Sequence, residues 1–451
     1  MSTAMTSLAM ASLRHRRTAF TATFVSVFLG AALIGAFATL AQTSTGAGVS
    51  DADAETLTIM GIVVGGWGSL IVLFSVASTL AITVRQRAEE IGLLRVVGAA
   101  PRQARRLVLA EAAAVTGVGA ALGALAAWPA GFVLLALLRN GGMVADDVSY
   151  GGGAAALGAT VVLVVTTSLV AAAVTARRTT NGPATLAIAD ARSGSGRMPW
   201  WRTAIGLVLV AYGVGMAVVT ITVTGHDDDP YAAMTTSGSS SILVGIGLAV
   251  LSPVLLRWLS RLCAPALGRT GAVGWLAAYN TSRRSQLLGG VLAPVIVLTA
   301  GAVGVLMLVG IDHRTIGARA TDEGDTINLL NNVVTGMIVL FAAVMVLNAF
   351  AAVVAGRRQE LQRLRLLGAT PAQVERSVLA EAGIVGGIGV LLGLVGSLAT
   401  VVPFAVARDE GVVPDGQLWL PPLLVAATVA LTLLSARSAV RRLGPLTGAV
   451  R

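Results

Sequence analysis

Apolar residues gather along this chain in ten runs, at 18–40, 57–84, 107–138, 154–176, 201–224, 241–262, 286–311, 327–355, 378–406 and 418–436. Each is long enough for a helix to cross the roughly 30 Å hydrocarbon core of a bilayer. The pattern therefore predicts an all-α polytopic membrane protein with ten transmembrane helices. Charged residues collect between the runs, and two of those charged stretches are alike. Residues 85–111 read RQRAEEIGLLRVVGAAPRQARRLVLAE, and residues 357–381 read RRQELQRLRLLGATPAQVERSVLAE.

A constant shift of 270 positions carries the first stretch onto the second. Arg87 falls on Arg357, Glu90 on Glu360, Leu94 on Leu364, Arg95 on Arg365, Gly98 on Gly368, Ala99 on Ala369 and Pro101 on Pro371. Gln103 matches Gln373, Leu109-Ala110-Glu111 matches Leu379-Ala380-Glu381, and Gly117, Gly119 and Gly123 recur as Gly387, Gly389 and Gly393. The expected organisation is a four-helix repeat at 1–180, a two-helix connector at 181–270 without a counterpart, and a second four-helix repeat at 271–451.

Within the repeated stretch, Ile91, Leu94 and Val97 and their partners Leu361, Leu364 and Leu367 recur at helical spacing among charged residues, which predicts an amphipathic helix continuing the second span of each repeat. Gly98 and Gly368 fit the position just past a helix end, where the chain turns left-handed and a side chain is penalised. Thr370 is a good N-cap, and Pro101 and Pro371 suit the first turn of a new helix, where a missing N–H costs nothing. The predicted unit is a helical hairpin feeding the third span. A loop that merely coats headgroups with arginine would not need to retain Gly, Ala and Pro, so a docking surface is the better reading. Glu111 and Glu381, where the returning helix enters the membrane, are expected as an interface clamp that pairs with arginine or stays at the boundary. Small residues four apart let helices approach closely, so the three glycines of each copy are expected to pack on a neighbouring helix.

Composition sharpens this picture. Only 12% of the 451 residues are charged against 55% hydrophobic, and all 32 basic residues are arginine. Without lysine, no Gly-Lys-Ser/Thr phosphate loop can form, so any ATP must be bound by another subunit. The lone Cys263 excludes an internal disulfide and is expected as a small buried apolar side chain. No metal site is expected: His15, His226 and His313 lie in separate segments, and Asp227, Asp228 and Asp229 read as a solvated acidic loop. With the N-terminus inside, 28 of the 32 arginines fall on the cytoplasmic side, leaving Arg139, Arg314, Arg319 and Arg408 outside with most acidic residues. Both termini and both charged stretches are then cytoplasmic. The net charge of +10 belongs to the membrane face, where anionic lipid attracts it, and nucleic-acid binding is not expected. Ala36-Phe37-Ala38 resembles a signal cleavage site, but the first run is long for a signal core and Arg283-Arg284 precede a similar span, so a retained helix is expected.

The motif from Glu90 to Gln103 and its partner from Glu360 to Gln373 closely resemble the signature of FtsX-like permeases of bacterial ABC transporters, a family that includes lipoprotein-releasing, macrolide-exporting and bacitracin-resistance permeases. The ten-helix layout with a two-helix connector looks most like the bacitracin-resistance type. The resemblance implies a non-catalytic subunit of the bacterial cytoplasmic membrane whose partner is a cytoplasmic ABC ATPase dimer holding Mg-ATP. It places the ATPase coupling on Arg87, Glu90, Leu94, Arg95, Gly98 and Ala99, and on Arg357, Glu360, Leu364, Arg365, Gly368 and Ala369. Gly92 has no counterpart, since Gln362 stands in the second copy. Family members usually carry a large extracellular domain after the first helix of one repeat. Here 41–56 and 312–326 are expected as short polar loops, which points to substrates entering from the bilayer.

The expected function is export or extraction of an amphiphile such as a lipid, peptide or hydrophobic antibiotic, driven by the partner's ATP hydrolysis. Mechanotransmission without transport is an alternative, which the short outer loops disfavour. An ion-coupled secondary transporter is a third, disfavoured because no Asp or Glu lies mid-span and the polar Asn348, Ser75, Ser78 and Thr79 can be satisfied by helix packing.

Overall fold

The computed structural model describes residues 17–86, 88–180, 198–227, 232–269, 271–316 and 358–442, together with scattered positions between 336 and 354. Among these residues every regular element is helical. Eight helices are long and apolar enough to span a membrane, and a shorter apolar run, Gly68–Ala81, lies in the expected second span. The expected eighth span, 327–355, falls largely outside the described residues, as do Asn348, Arg319, Asp322, Glu323 and Asp325. The chain is a multi-pass membrane protein.

Two compact units emerge, one formed by residues 1–191 and 309–341, the other by 192–308 and 342–451. In the first, α1 (Arg17–Thr43) packs on α3 (Gly65–Gln86), α5 (Pro101–Asn140) and α6 (Ala154–Thr180). The expected loop at 41–56 is shorter than its polarity suggests. Helix α2 (Asp51–Thr58) already starts at Ser50, whose hydroxyl oxygen accepts the Asp53 N–H at 3.2 Å, and a π-helical stretch, Ile59–Val64, runs on into α3. Gly61 and Gly65 let this stretch lie against α1: a Cβ on Gly61 would stand 2.6 Å from Ala41 Cβ, and one on Gly65 2.5 Å from Phe37 Cβ. At the end of α1, the Gln42 amide oxygen accepts the N–H groups of Gly153 and Ala156 at 3.2 and 3.0 Å, which caps the first turn of α6.

The second unit holds α7 (Trp200–Thr222), α8 (Ala232–Gly268), α9 (Ala272–Arg283), the part of α10 (Ser285–Ile316) up to Leu308, α11 (Arg358–Leu366), α12 (Pro371–Ala407) and α13 (Leu420–Arg442). The connector helices α7 and α8 are no loose tether. They pack on each other and both pack on α12. Helix α10 is the core element, with 94% of its most apolar window buried.

Helix α8 begins at Ala232, well before the apolar run that the sequence marks from 241. The polar turn in between is helical because its hydroxyls are satisfied internally. Thr236 shares hydroxyl bonds of 2.9 Å with both Thr220 and Thr224, and Ser240 donates to the Thr236 carbonyl at 3.1 Å. Thr400 of α12 is wedged into the same turn. Its hydroxyl donates to the Ser237 carbonyl at 2.6 Å and accepts the Ser241 N–H at 2.9 Å, the two groups that close a helical bond in an unbroken turn. Ser237 Oγ donates back to the Thr400 carbonyl at 3.0 Å, and all three residues are fully buried. A side chain inserted into the helical ladder in this way is a recognised cause of bending. Thr400→Val removes the hydroxyl at nearly constant volume and is expected to lower the thermal unfolding midpoint, at a cost of about 1–3 kcal/mol for the stranded groups. Thr400→Ser should restore most of it. Equal midpoints for the Val and Ser variants in a detergent melt would count against the wedge. Cys263, expected to be buried, is exposed near the end of α8.

Candidate functional site

The repeated stretch folds twice into the same hairpin, once in each unit. In the first, α4 (Ala88–Val96) ends at Gly98, whose φ of 109° lies where only glycine is unstrained. The Ala99 N–H reaches back to the Leu94 carbonyl at 2.9 Å, and the Gly98 N–H to the Arg95 carbonyl at 3.1 Å. In the second, Gly368 has φ 98°, with Ala369 bonded to Leu364 and Gly368 to Arg365, both at 3.0 Å. This pair of bonds is the Schellman arrangement, which satisfies carbonyls that a helix end leaves open.

The returning helices start alike but are capped unequally. Thr370 accepts the Gln373 N–H at 3.2 Å while its own N–H donates to Gln373 Oε1 at 2.9 Å, a full capping box. Ala100 keeps only the second half, its N–H donating to Gln103 Oε1 at 3.0 Å. Pro101 and Pro371 open the new helices, which run on without a break through the membrane as α5 and α12.

Burial repeats with the same register. Ile91 and Leu361 are 3% and 2% exposed and anchor each hairpin. Ile91 packs with Ala104, Val108 and, from α6, Ala172 and Ala176; Leu361 packs with Val374, Val378 and, from α13, Ala439. The apolar stripe expected from spacing does not stay on that face. Val97 and Leu367 are 88% and 85% exposed, and the residues just before them in each hairpin, Val96 and Leu366, are 60% and 87% exposed. Leu94 is 45% exposed, whereas Leu364 packs partly inward. The reason is local: Val96 and Leu366 are the last residues of their helices, and Val97 and Leu367 already lie in the turn that follows. Each hairpin thus presents two adjacent apolar side chains at its tip. Exposed arginines rim the tips, Arg102 and Arg106 in one unit and Arg363 and Arg376 in the other.

Ala99, Ala369, Arg95 and Arg365 are half-buried just behind the tips. Glu90 and Glu360 are also half-buried, and Glu360 forms an ion pair with Arg284, which ties α11 to the start of α10. Arg437 pairs with Glu375 at 3.1 Å and ties α13 to α12. Arg87 and Arg357 lie outside the described residues.

Neither carboxylate of the expected clamp sits at an open boundary. Glu111 and Glu381 are 1% and 2% exposed, and Glu381 Oε1 accepts from the Asn280 amide at 2.9 Å. At the shift of 270 Arg284 falls on Arg14, whereas Asn280 falls on Met10 and so has no amide counterpart.

The glycines divide. A Cβ on Gly119 would stand 3.0 Å from Val27 Cγ1, and one on Gly123 would meet the Phe28 carbonyl and stand 2.8 Å from Ala31 Cβ, so both face α1. Gly389 and Gly393 face α10, the first 2.6 Å from Val295 Cγ1 and the second against Thr299 and 3.0 Å from the Ile296 carbonyl. Gly117 and Gly387, grouped with them on sequence, take no part: a Cβ there would meet nothing within 4 Å. In both units the helix that follows the hairpin therefore packs through two glycines four residues apart, α5 on α1 and α12 on α10.

A family model described as FtsX-like permease C-terminal matches residues 62–183 and again residues 332–445, together more than half of the chain. The two matches start 270 positions apart, the shift that superposes the hairpins, and each match contains one hairpin. No curated protein matches the sequence.

Proposed function

Because the chain belongs to the FtsX-like permease family, we propose that it is the membrane subunit of an ABC transporter in which the two hairpin tips are the seats of a separate ATPase. One observation carries the reading: the same Schellman turn occurs in both units with two exposed apolar side chains at its tip and arginines around them. An apolar centre with a polar, arginine-bearing rim is the make-up of a protein interface. In this reading ten helices cross the bilayer, both termini lie in the cytoplasm, and the ATPase is a dimer that supplies Mg-ATP, which a chain without lysine is not built to cradle. Closure of that dimer moves the tips, and the long continuous helices α5 and α12 transmit the movement. Gln103 and Gln373 hold the root of each lever. The cargo is an amphiphile taken from the bilayer and exported or extracted.

The reading is tested by co-purifying the chain with a candidate ATPase and measuring hydrolysis in nanodiscs. Gly98→Trp with Gly368→Trp forces a bulky side chain into a left-handed turn at both tips, a strain of about 1–3 kcal/mol per site. The complex is expected to dissociate and the stimulated hydrolysis to fall about tenfold or more. Retention of both in the double variant would rule the tips out as the seats. Hydrolysis-coupled release of a labelled amphiphile separates transport from pure force transmission, and uptake driven by a proton or sodium gradient without ATPase would favour a carrier instead.

A further inference from the structure

Helix α9 leads directly into the span α10 and shows two unlike faces. Gly274, Ala277, Ala278 and Thr281 are buried, while Trp275, Tyr279 and Arg283 stand at i, i+4 and i+8 on the exposed side. The Trp275 and Tyr279 rings stack with centroids 5.3 Å apart and planes 8° from parallel. The Arg283 guanidinium lies 5.4 Å from the Tyr279 ring centre and donates to the phenol oxygen at 2.7 Å. The result is a ladder of two rings and a cation, with Trp275 58% and Tyr279 43% exposed.

The neighbouring charges leave Arg283 as the outward one. Arg284 turns the other way, to Glu360, and Glu381 is held from the buried side by Asn280. Between residues 232 and 311 the chain has arginines at 257, 261, 269, 283 and 284 and not one Asp or Glu. Helix α8, on which α9 packs, has 37 residues and so is about 55 Å long, more than the hydrocarbon layer needs. Its last turns expose Trp258 and Arg261.

A wide aromatic stripe is costly in water, and a guanidinium is costly in hydrocarbon. The headgroup layer suits both, with the rings at the glycerol level and the cation against phosphate. We infer that the Trp275–Tyr279–Arg283 ladder binds the headgroup of an anionic phospholipid at the edge of the bilayer. The stacked rings hold the guanidinium outward, and its remaining N–H groups take the phosphate oxygens. This site is independent of the ATPase seats, since it rests on α9 and not on either hairpin tip.

The full chain in nanodiscs of phosphatidylcholine and phosphatidylglycerol tests it by tryptophan quenching, with bromine placed on the acyl chains of one lipid or of the other. Because the chain has seven tryptophans, the Trp275 emission is taken as the difference between the parent and Trp275→Phe. At equal fractions, brominated phosphatidylglycerol is expected to quench that emission about twofold more than brominated phosphatidylcholine, an excess that high salt reduces. In an Arg283→Gln background the same difference should fall to the phosphatidylcholine level, while both variants elute and melt like the unsubstituted protein because these side chains are exposed. Equal quenching by the two lipids overturns the inference. So does an excess at Trp275 that survives Arg283→Gln, which would place the lipid elsewhere.

Discussion

Exchanging Val96, Val97, Leu366 and Leu367 together for aspartate is expected to abolish stimulation of the partner ATPase while the membrane protein itself stays folded. The four side chains are the outermost apolar groups of the two tips, and Val97, Leu366 and Leu367 are each at least 85% exposed. Their replacement removes little that holds the chain together, because exposed substitutions away from caps and buried networks shift stability by about 0.5 kcal/mol or less. In a complex they would be the buried centre, where truncating a single anchor costs about 2 kcal/mol or more and a buried unpaired charge costs further. Association should weaken by two orders of magnitude or so, and hydrolysis should fall to the level of the ATPase alone. The control is the detergent melt of the variant, expected within a degree or two of the parent. Full stimulation by the fourfold variant would show that the partner sits elsewhere. Val97→Asp and Leu367→Asp made singly would show whether the two seats are equivalent. The second has the complete capping box and an inward Leu364, so its tip is the better held of the two.

The second large effect lies inside the bilayer. Gly123→Leu and Gly393→Leu are each expected to destabilise the fold enough that little monodisperse protein survives extraction. A Cβ alone at Gly123 meets the Phe28 carbonyl, and at Gly393 it meets Thr299 Cβ, so there is no flexible tip to give way. Overpacking of this kind costs about 1–3 kcal/mol even where neighbours can shift, and more where the obstacle is backbone. Gly117→Leu and Gly387→Leu are the matched controls, two turns or less away on the same helices, and should extract and melt like the parent because nothing stands within 4 Å of either. Similar losses at all four positions would mean that glycine is needed there for some reason other than helix contact.

The hairpins were legible in the sequence because their instructions are local. A glycine at the left-handed position, a proline three residues on and a glutamine two residues after that specify a turn whatever surrounds it, and the duplication supplied an internal check. The outward turn of Val97 and Leu367 was not legible, since spacing counts both as part of the same stripe as Ile91. What separates them is that Val97 and Leu367 lie past the end of the helix that Ile91 and Leu361 anchor. The glycines tell the same story, because a repeated glycine says that room is wanted somewhere, and the partner helix decides where. Span limits failed where polarity misled: Thr235 to Ser241 read as a boundary, yet hydroxyl bonds to Thr220, Thr224 and Thr400 make the turn a comfortable part of α8.

By itself the sequence determined the membrane-spanning helical class, the duplication and the two glycine turns, all of which follow from hydrophobic length, chain identity and backbone sterics within a few residues. The tertiary structure decided which apolar side chains face out at the tips, which glycines carry the packing of the third helix on the first, and which partners Glu360, Glu381 and Thr400 take. Those choices depend on atoms brought together from positions up to 163 residues apart, and no local pattern encodes the distance between them.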